Sequence, residues 1–415
     1  MTATDVLVVG GGPSGSATAT RLAAAGHRVT LVEKRAEPRL KACGDALTPR
    51  ALRELDDLGV DVAGLGGHPT RGIRFEYGGN AVEAPWPAAD GAATRSSGMT
   101  LRRNVLDEAL RRRAHAAGAT VLMGYEATAP ISERGFVRGA TMTLPDGSTQ
   151  DVRARFLVVA DGANSRFGRG LGTTRQRHWP YVIATRTYFE SPRSGEEWTE
   201  ARLGPPDPNG HPISGFGWVH PLGDGTVNVG LGMLSSYRDA LGLNAIGLLR
   251  EFADNVADDW QLDPAKSLKN PARFRVPLGG SVGPKMGPTF LVTGDAGGLA
   301  NPFNGEGIEP ALVSGRIAAD VLGEALTTGN STTLQQYPTA LEAELGAHHA
   351  VGRLSARFMG SPTILGATLR WGTRSPRVMG GILRIATNEL RADHPGAAEK
   401  SYAMARLASR LAPGW

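Results

Sequence analysis

Two hydrophobic patterns divide this chain. Short unbroken apolar runs, "VLVV" at 6–9, "FLVV" ending at Val159 and "FLV" ending at Val292, suit strands covered on both faces. Strict alternation marks "YVIATRTYFE" and "GTVNVGLGML", with Gly and Pro between, as half-buried antiparallel strands. An Ala-rich helix is expected after the first run to about Ala25, closed by Gly26, and "RVTLV" is the next strand. From about Gln335 the pattern turns helical, with breaks at Pro362 and Pro376. No internal repeat or low-complexity tract interrupts this order.

The punctuation after the first strand carries chemistry. Gly10, Gly12 and Gly15 form G-x-G-x-x-G between strand and helix, with Pro13 and Ser14 between the last two glycines. Gly10 permits the tight turn, Gly12 lets backbone approach a pyrophosphate, and Gly15 lets helix and strand pack closely. Free N–H groups at the helix start then face the phosphates. Glu33, 18 residues beyond Gly15, ends the second strand where a carboxylate accepts hydrogen bonds from a ribose diol, with Lys34 beside it. The set reads as a dinucleotide site. The second run leads into Asp161 and Gly162, and the third into Gly294 and Asp295. A Gly/Asn/Pro loop with Gly305 and Gly307 follows, then a helix from about Ile308, whose start serves another polar group of the same long ligand.

Composition narrows the picture. The 415 residues are 41% hydrophobic and 20% charged, enough for two domains and a sizeable core. One cysteine excludes an internal disulfide and suits a reducing cytosol. No secretory signal and no apolar run of about 18 residues stands out. The net charge of +5 is uneven: Ala350–Trp415 holds ten Lys or Arg against three Asp or Glu. That tail reads as a solvated helical face or a membrane-surface contact. Nucleic acid is not expected, for want of interleaved aromatic platforms.

In order and spacing, the three Gly/Asp segments resemble the fingerprints of FAD-dependent hydroxylases and reductases. The resemblance implies FAD, with Asp295 on the ribitol chain and Arg103 of "RNVLD" as a further cofactor contact. It also implies a fold: α/β, a Rossmann-type FAD-binding domain like that of para-hydroxybenzoate hydroxylase, with an inserted antiparallel sheet and C-terminal helices. The cofactor domain is expected over 1–75, 100–172 and 275–340, the substrate sheet over 76–99 and 173–274, and helices over 341–415. "KACGDALTPRAL" resembles the Cys-Gly loop of geranylgeranyl reductases, and "GFGWVHPLGDGTVNVGLG" their aromatic segment, with Phe216 for the usual tyrosine and His220 for the usual phenylalanine. "NPFNGEGI" points to the menaquinone-reducing branch.

A lone cysteine such as Cys43 is ordinarily a small buried hydrophobe. The resemblance places Cys43 and Gly44 near the flavin ring, where the thiol positions an alkene or relays a proton. Lys41 nearby favours thiolate, which opposes the acid role. The expected reaction is saturation of an isoprenoid C=C bond, in the menaquinone tail or another prenyl lipid, with Cys43, Trp218 and His220 as candidate catalytic residues. Phe216 and Trp218 are candidates to line a substrate tunnel, with strand core as the plainer reading; His220 is as readily a structural histidine. Glu306 leans structural. A hydroxylase of the same fold is the rival reaction. A halogenase is disfavoured because no lysine falls between Lys41 and Lys266. No metal site is expected. The electron donor stays open between NADPH and a reduced carrier, and so does the oligomeric state. The expected location is cytoplasmic, peripheral at the inner face of the membrane.

Overall fold

The computed structural model describes residues 3–37, 41, 43–88, 97–207, 210–237, 240, 242–391 and 395–411. Residues 89–96, within the expected 76–99 insert, lie outside them.

The unbroken apolar runs form adjacent strands of one sheet. Its order is Met286–Gly287, Phe290–Val292, Thr149–Val159, Ala3–Val9, Val29–Glu33 and Thr120–Met123. The five from Phe290–Val292 onwards pair in parallel. Strands Glu126–Glu133 and Phe136–Thr143 extend it as an antiparallel ribbon. Helices Pro13–Ala24 and Ile308–Thr328 pack together beside it, so closely that a Cβ on Gly315 would lie 2.5 Å from the Ser14 carbonyl oxygen. Val6, Val8 and Leu31 bury against this helical layer, while Leu7, Val9 and Val159 bury on the other face. Burial on both faces is why these strands read as continuous runs.

The alternating segments build a second, seven-stranded sheet: Ala272–Pro277, Tyr181–Glu190, Thr226–Leu234, Gly215–Pro221, Trp198–Leu203, Gly72–Tyr77 and Asn80–Pro85. Its pairs are antiparallel except Trp198–Leu203 with Gly72–Tyr77. One face packs on helix Ala245–Trp260, burying Ile183, Val229, Leu231, Phe252 and Trp260. The opposite face turns towards the first sheet, and the period of two sends every second side chain there.

The C-terminal helices close the far end. Pro362 and Pro376 each occupy the first turn of a helix, Pro362–Gly372 and Pro376–Ala386, where a missing N–H is harmless. Met379 and Leu383 bury against Phe75, Val82 and Ala84 of the second sheet and Trp86 just beyond its last strand. Ion pairs Arg50–Glu344 at 3.3 Å and Arg53–Glu389 at 2.7 Å bind this region to the cofactor half.

Trp260 is wholly buried and donates from Nε1 to Glu200 Oε2 at 3.1 Å. Trp260→Ala should therefore destabilise the substrate sheet by about 3–5 kcal/mol. Denaturant titration followed by circular dichroism checks this; an unchanged midpoint would mean that the helix is not a structural half of that core.

Candidate active site

Four adjacent parallel strands end at one rim, and each delivers a polar feature there: Gly10–Gly15 after Ala3–Val9, Glu33 ending Val29–Glu33, Asp161 after Thr149–Val159, and Asp295 after Phe290–Val292. The carboxyl edge of such a sheet is where nucleotides sit. Apart from Gly15 and Gly294, every residue that the sequence singled out for cofactor, substrate or catalysis lines one continuous cavity of about 2010 Å³.

The three fingerprint glycines differ in kind. A Cβ on Gly10, whose φ is +112°, would lie 2.3 Å from the Ala160 carbonyl oxygen, and one on Gly15 would lie 2.0 Å from that of Gly10. Both are packing glycines. Around Gly12 the nearest atom is Lys41 Nζ, at 3.4 Å from such a Cβ. Gly12 also caps helix Pro13–Ala24, which has no side-chain cap and no acidic residue in its first turn. Open space, uncapped N–H groups and a lysine ammonium meet there, the surroundings that a pyrophosphate requires. Glu33 accepts from Gly11 N at 3.0 Å and Arg35 N at 3.1 Å, which fixes its carboxylate at the rim. Lys34 is exposed beside it.

Two buried carboxylate oxygens await partners. Asp161 accepts from Phe167 N through Oδ2 at 3.1 Å, yet its Oδ1 has no hydrogen-bond partner. Asp295 Oδ1 is likewise unpartnered and faces Gly307, 3.1 Å from where a Cβ would sit. Burial raises the pKa of both, opposed at Asp295 by Arg103 and Lys41. An unpartnered buried acceptor is costly unless a ligand donor completes it. Gly162 and Gly305, at φ +86° and +75°, turn the backbone beside these acids. Gly307 starts helix Ile308–Thr328 without a side-chain cap. Gly294 packs: its N–H donates to Ser314 Oγ at 3.0 Å, and a Cβ there would meet Ser14 Oγ at 2.8 Å. The open cradle at Gly12, the ribose-side Glu33 and the two orphan oxygens fit FAD along one edge.

The Cys43–Gly44 loop bridges both halves of the protein. Asp45, at φ +60° and fully buried, accepts from the backbone N–H of Arg103 at 3.1 Å, from Tyr188 Oη at 2.6 Å and from Asn228 Nδ2 at 2.8 Å. Asn228 Nδ2 also reaches the Cys43 carbonyl at 2.8 Å, and Arg186 donates to that of Lys41. Lys41 does not face the thiol: its Nζ pairs with Asp107 at 2.7 Å, and Asp107 also holds Arg103 at 3.0 Å. Burial pushes the Cys43 thiol above its ordinary range, with Arg103 opposing, so the sulfur stays protonated.

A row of rings covers the loop. Phe216, Trp218 and His220 alternate on strand Gly215–Pro221 with neighbouring centroids 6.0 Å apart. Across the ladder lie Gly232, Gly230 and Asn228. The Trp218 indole donates to Asn228 Oδ1 at 3.0 Å, and a Cβ on Gly230 would lie 2.1 Å from that ring. His220 Nδ1 lies 2.7 Å from the Gly44 carbonyl, which only accepts, so Nδ1 carries the proton. Burial lowers the imidazole pKa to about 4, leaving a neutral ring whose one proton is engaged. Gly44 is required: its Cβ would meet His220 Nδ1 at 2.8 Å. Beyond the rings the cavity turns apolar, walled by Phe75, Leu203, Leu365, Leu369, Met379 and Leu383.

At the opposite side, Thr48 Oγ1 donates to Glu306 Oε1 at 2.7 Å. Burial, with the Glu309 charge nearby, raises the Glu306 pKa. Lys41 was read beside the thiol and sits on Asp107 instead, while Asp45, Tyr188 and the helix residues lining the apolar arm were not singled out by the sequence. Their partners lie far along the chain, and only the odd "C-G-D" loop hinted at Asp45.

Two outcomes follow. Gly12→Ala should leave the thermal unfolding of the apoprotein near wild type but weaken FAD binding at least about tenfold, whereas Gly15→Ala should lower the unfolding temperature itself. Equal effects on both would dissolve the distinction. Secondly, Cys43 alkylation by an uncharged reagent should reach half its maximal rate above the free-thiol pKa of about 8.5, because a raised pKa leaves less thiolate at any given pH. Asp45→Asn removes a neighbouring negative charge and should speed alkylation at neutral pH by roughly tenfold; an unchanged rate would free the thiol from Asp45.

Comparison with known proteins agrees with this geometry. Residues 3–222 match the model of an FAD binding domain. The chain is 35% identical to menaquinone reductase of Mycolicibacterium smegmatis over 415 residues, 99% of this chain and 97% of that one. It is 32% identical to a digeranylgeranylglycerophospholipid reductase of Methanopyrus kandleri, covering 82% and 86% of the two chains. A geranylgeranyl bacteriochlorophyll reductase-like structure from Thermoplasma acidophilum superposes with a TM-score of 0.79 at 24% identity, over 97% and 99% of the chains, and a flavin-dependent brominase with 0.73 at 19%, over 99% of both; these two show the shared fold. The chain belongs to the family of FAD-dependent reductases that includes the mycobacterial menaquinone reductases and the archaeal digeranylgeranylglycerophospholipid reductases.

Proposed function

We propose that this protein saturates one C=C bond in the prenyl tail of menaquinone. The observation that carries the reading is the continuity of the cavity: the FAD end runs past Cys43 and the ring row into an arm walled by aliphatic and aromatic side chains. An isolated trisubstituted alkene offers no carbonyl to a reductant. Both a proton and a hydride must therefore reach it together where water is excluded.

FAD, when bound and reduced, would supply hydride chemistry beside the alkene. The protein's residues do the rest. Glu33, Lys41 and the helix start at Gly12 would hold the ribose and pyrophosphate, and Asp161 and Asp295 would accept from hydroxyl or N–H groups further along. Phe216 and Trp218 flank the chain and keep water out. The indole and imidazole N–H groups are both committed to Asn228 and Gly44. The Cys43 thiol is the group among these three that keeps its proton at Sγ, beside the junction, and gives it to one alkene carbon. Contact with the inner face of the membrane, where a polyprenyl quinone resides, is part of the same reading.

Anaerobic reduction of the FAD-loaded protein, addition of menaquinone and mass spectrometry should show a gain of two hydrogens in the prenyl tail. Oxygen uptake with an aromatic substrate and no such gain would favour a hydroxylase instead. Cys43→Ala should retain FAD and lower kcat by about 10²–10⁴. Normal turnover of that variant would remove the thiol from the proton step.

A further inference from the structure

The large apolar side chains that this protein leaves in solvent are not scattered. Among the described residues, all except Phe136 and Leu268 lie between Phe358 and Leu411. Trp371 is 68% exposed and Ile364 46%. The same region is one-sided in charge: between Glu344 and Glu389 there is no acidic residue, and there are six arginines. Arg370, Arg374 and Arg377 are exposed on or between the two helices that carry Ile364, Trp371 and Ile382.

The inner faces of those helices have a different task. Leu365, Leu369, Met379 and Leu383 are buried and wall the apolar arm of the cavity. Thr368 and Ile382 both line the cavity and are exposed, so the arm reaches the surface between them, inside the apolar and basic patch. Apolar side chains, a tryptophan and arginines on one face are what an interfacial helix presents to headgroups and acyl chains. A second copy of the chain fits poorly, because a two-fold contact through this patch would set arginines against arginines. An anionic bilayer supplies both the hydrocarbon and the opposite charge.

We propose that helices Pro362–Gly372 and Pro376–Ala386 lie flat on an anionic lipid bilayer, and that the gap between Thr368 and Ile382 is a portal through which a prenyl tail slides from the bilayer into the cavity. This rests on the prenyl-reductase reading and adds where and how the substrate arrives. No helix among the described residues is long and apolar enough to cross a membrane, so the attachment is to the surface. Each arginine at such a surface contributes roughly fivefold in partitioning.

The test uses the full-length FAD-loaded protein and vesicles of phosphatidylcholine with or without phosphatidylglycerol. Wild type should sediment with the anionic vesicles and much less with the neutral ones. The triple variant Arg370→Gln, Arg374→Gln, Arg377→Gln should lose about 100-fold in partitioning, and Trp371→Ser should weaken binding to both vesicle types. These variants should slow turnover of menaquinone embedded in vesicles yet leave a short detergent-dispersed prenyl substrate unaffected. Thr368→Trp should bind vesicles at least as well as wild type while slowing the embedded substrate, which separates portal from attachment. Equal binding of wild type and triple variant, or concentration-dependent dimerisation that Trp371→Ser abolishes, would overturn the proposal. Failure of wild type on both substrates, with vesicle binding intact, would instead strike the prenyl-reductase reading, since sedimentation needs no catalysis.

Discussion

The buried carboxylate of Asp45 is the constraint on which the arrangement rests. A charge withdrawn from water costs several kcal/mol unless hydrogen bonds replace its hydration. Here they come from both halves of the molecule: the first helical residue after Thr100–Arg102 on the cofactor side, and Tyr188 and Asn228 on the substrate sheet. Neither half alone satisfies the group, so Asp45 ties the two halves together beside Cys43. Arg186 stacks 4.4 Å over the Tyr188 ring and donates to the Lys41 carbonyl, closing the same joint. Burial raises the Asp45 pKa, and the hydrogen bonds from Tyr188 and Asn228 oppose that rise.

The cofactor end was legible in the sequence because its determinants are local. A buried strand, three glycines, a helix and a terminal acid occupy about thirty consecutive residues, and period and spacing are enough to read them. Asp161 and Asp295 were legible for the same reason, each following an apolar strand. The substrate end was legible only as alternation. That Phe216, Trp218 and His220 share a face follows from a period of two, but which face meets the cofactor depends on helix Ala245–Trp260 taking the other one. Gly15 was read as the glycine that lets helix and strand pack, and it does; Gly294, expected at the ligand, packs as well, because a glycine can be demanded by a neighbouring residue as readily as by a phosphate.

Lys41 and Asp45 were opaque for a related reason. In sequence they flank a cysteine, and the simplest reading pairs Lys41 with the thiol. In the fold Asp107, 66 residues on, captures the lysine and Arg103 becomes the cation beside Cys43. Ion pairs over such separations leave no periodic trace. The C-terminal helices were read as helical from their pattern, and their part in walling the apolar arm depends on Met379 and Leu383 meeting Phe75 and Trp86, nearly 300 residues earlier.

The glycine opposite Trp218 has one more consequence. Trp218 occupies room that exists only because Gly230 has no side chain, whereas a Cβ on Gly232, across from Phe216, would make only ordinary contacts, 3.5 Å from Val182 and 3.6 Å from Trp218. Any residue larger than hydrogen at Gly230 must displace the indole, and the space beside it is the passage itself. The bore of that passage is thus set by main chain, and substitution at its floor can narrow it but has nothing left to trim.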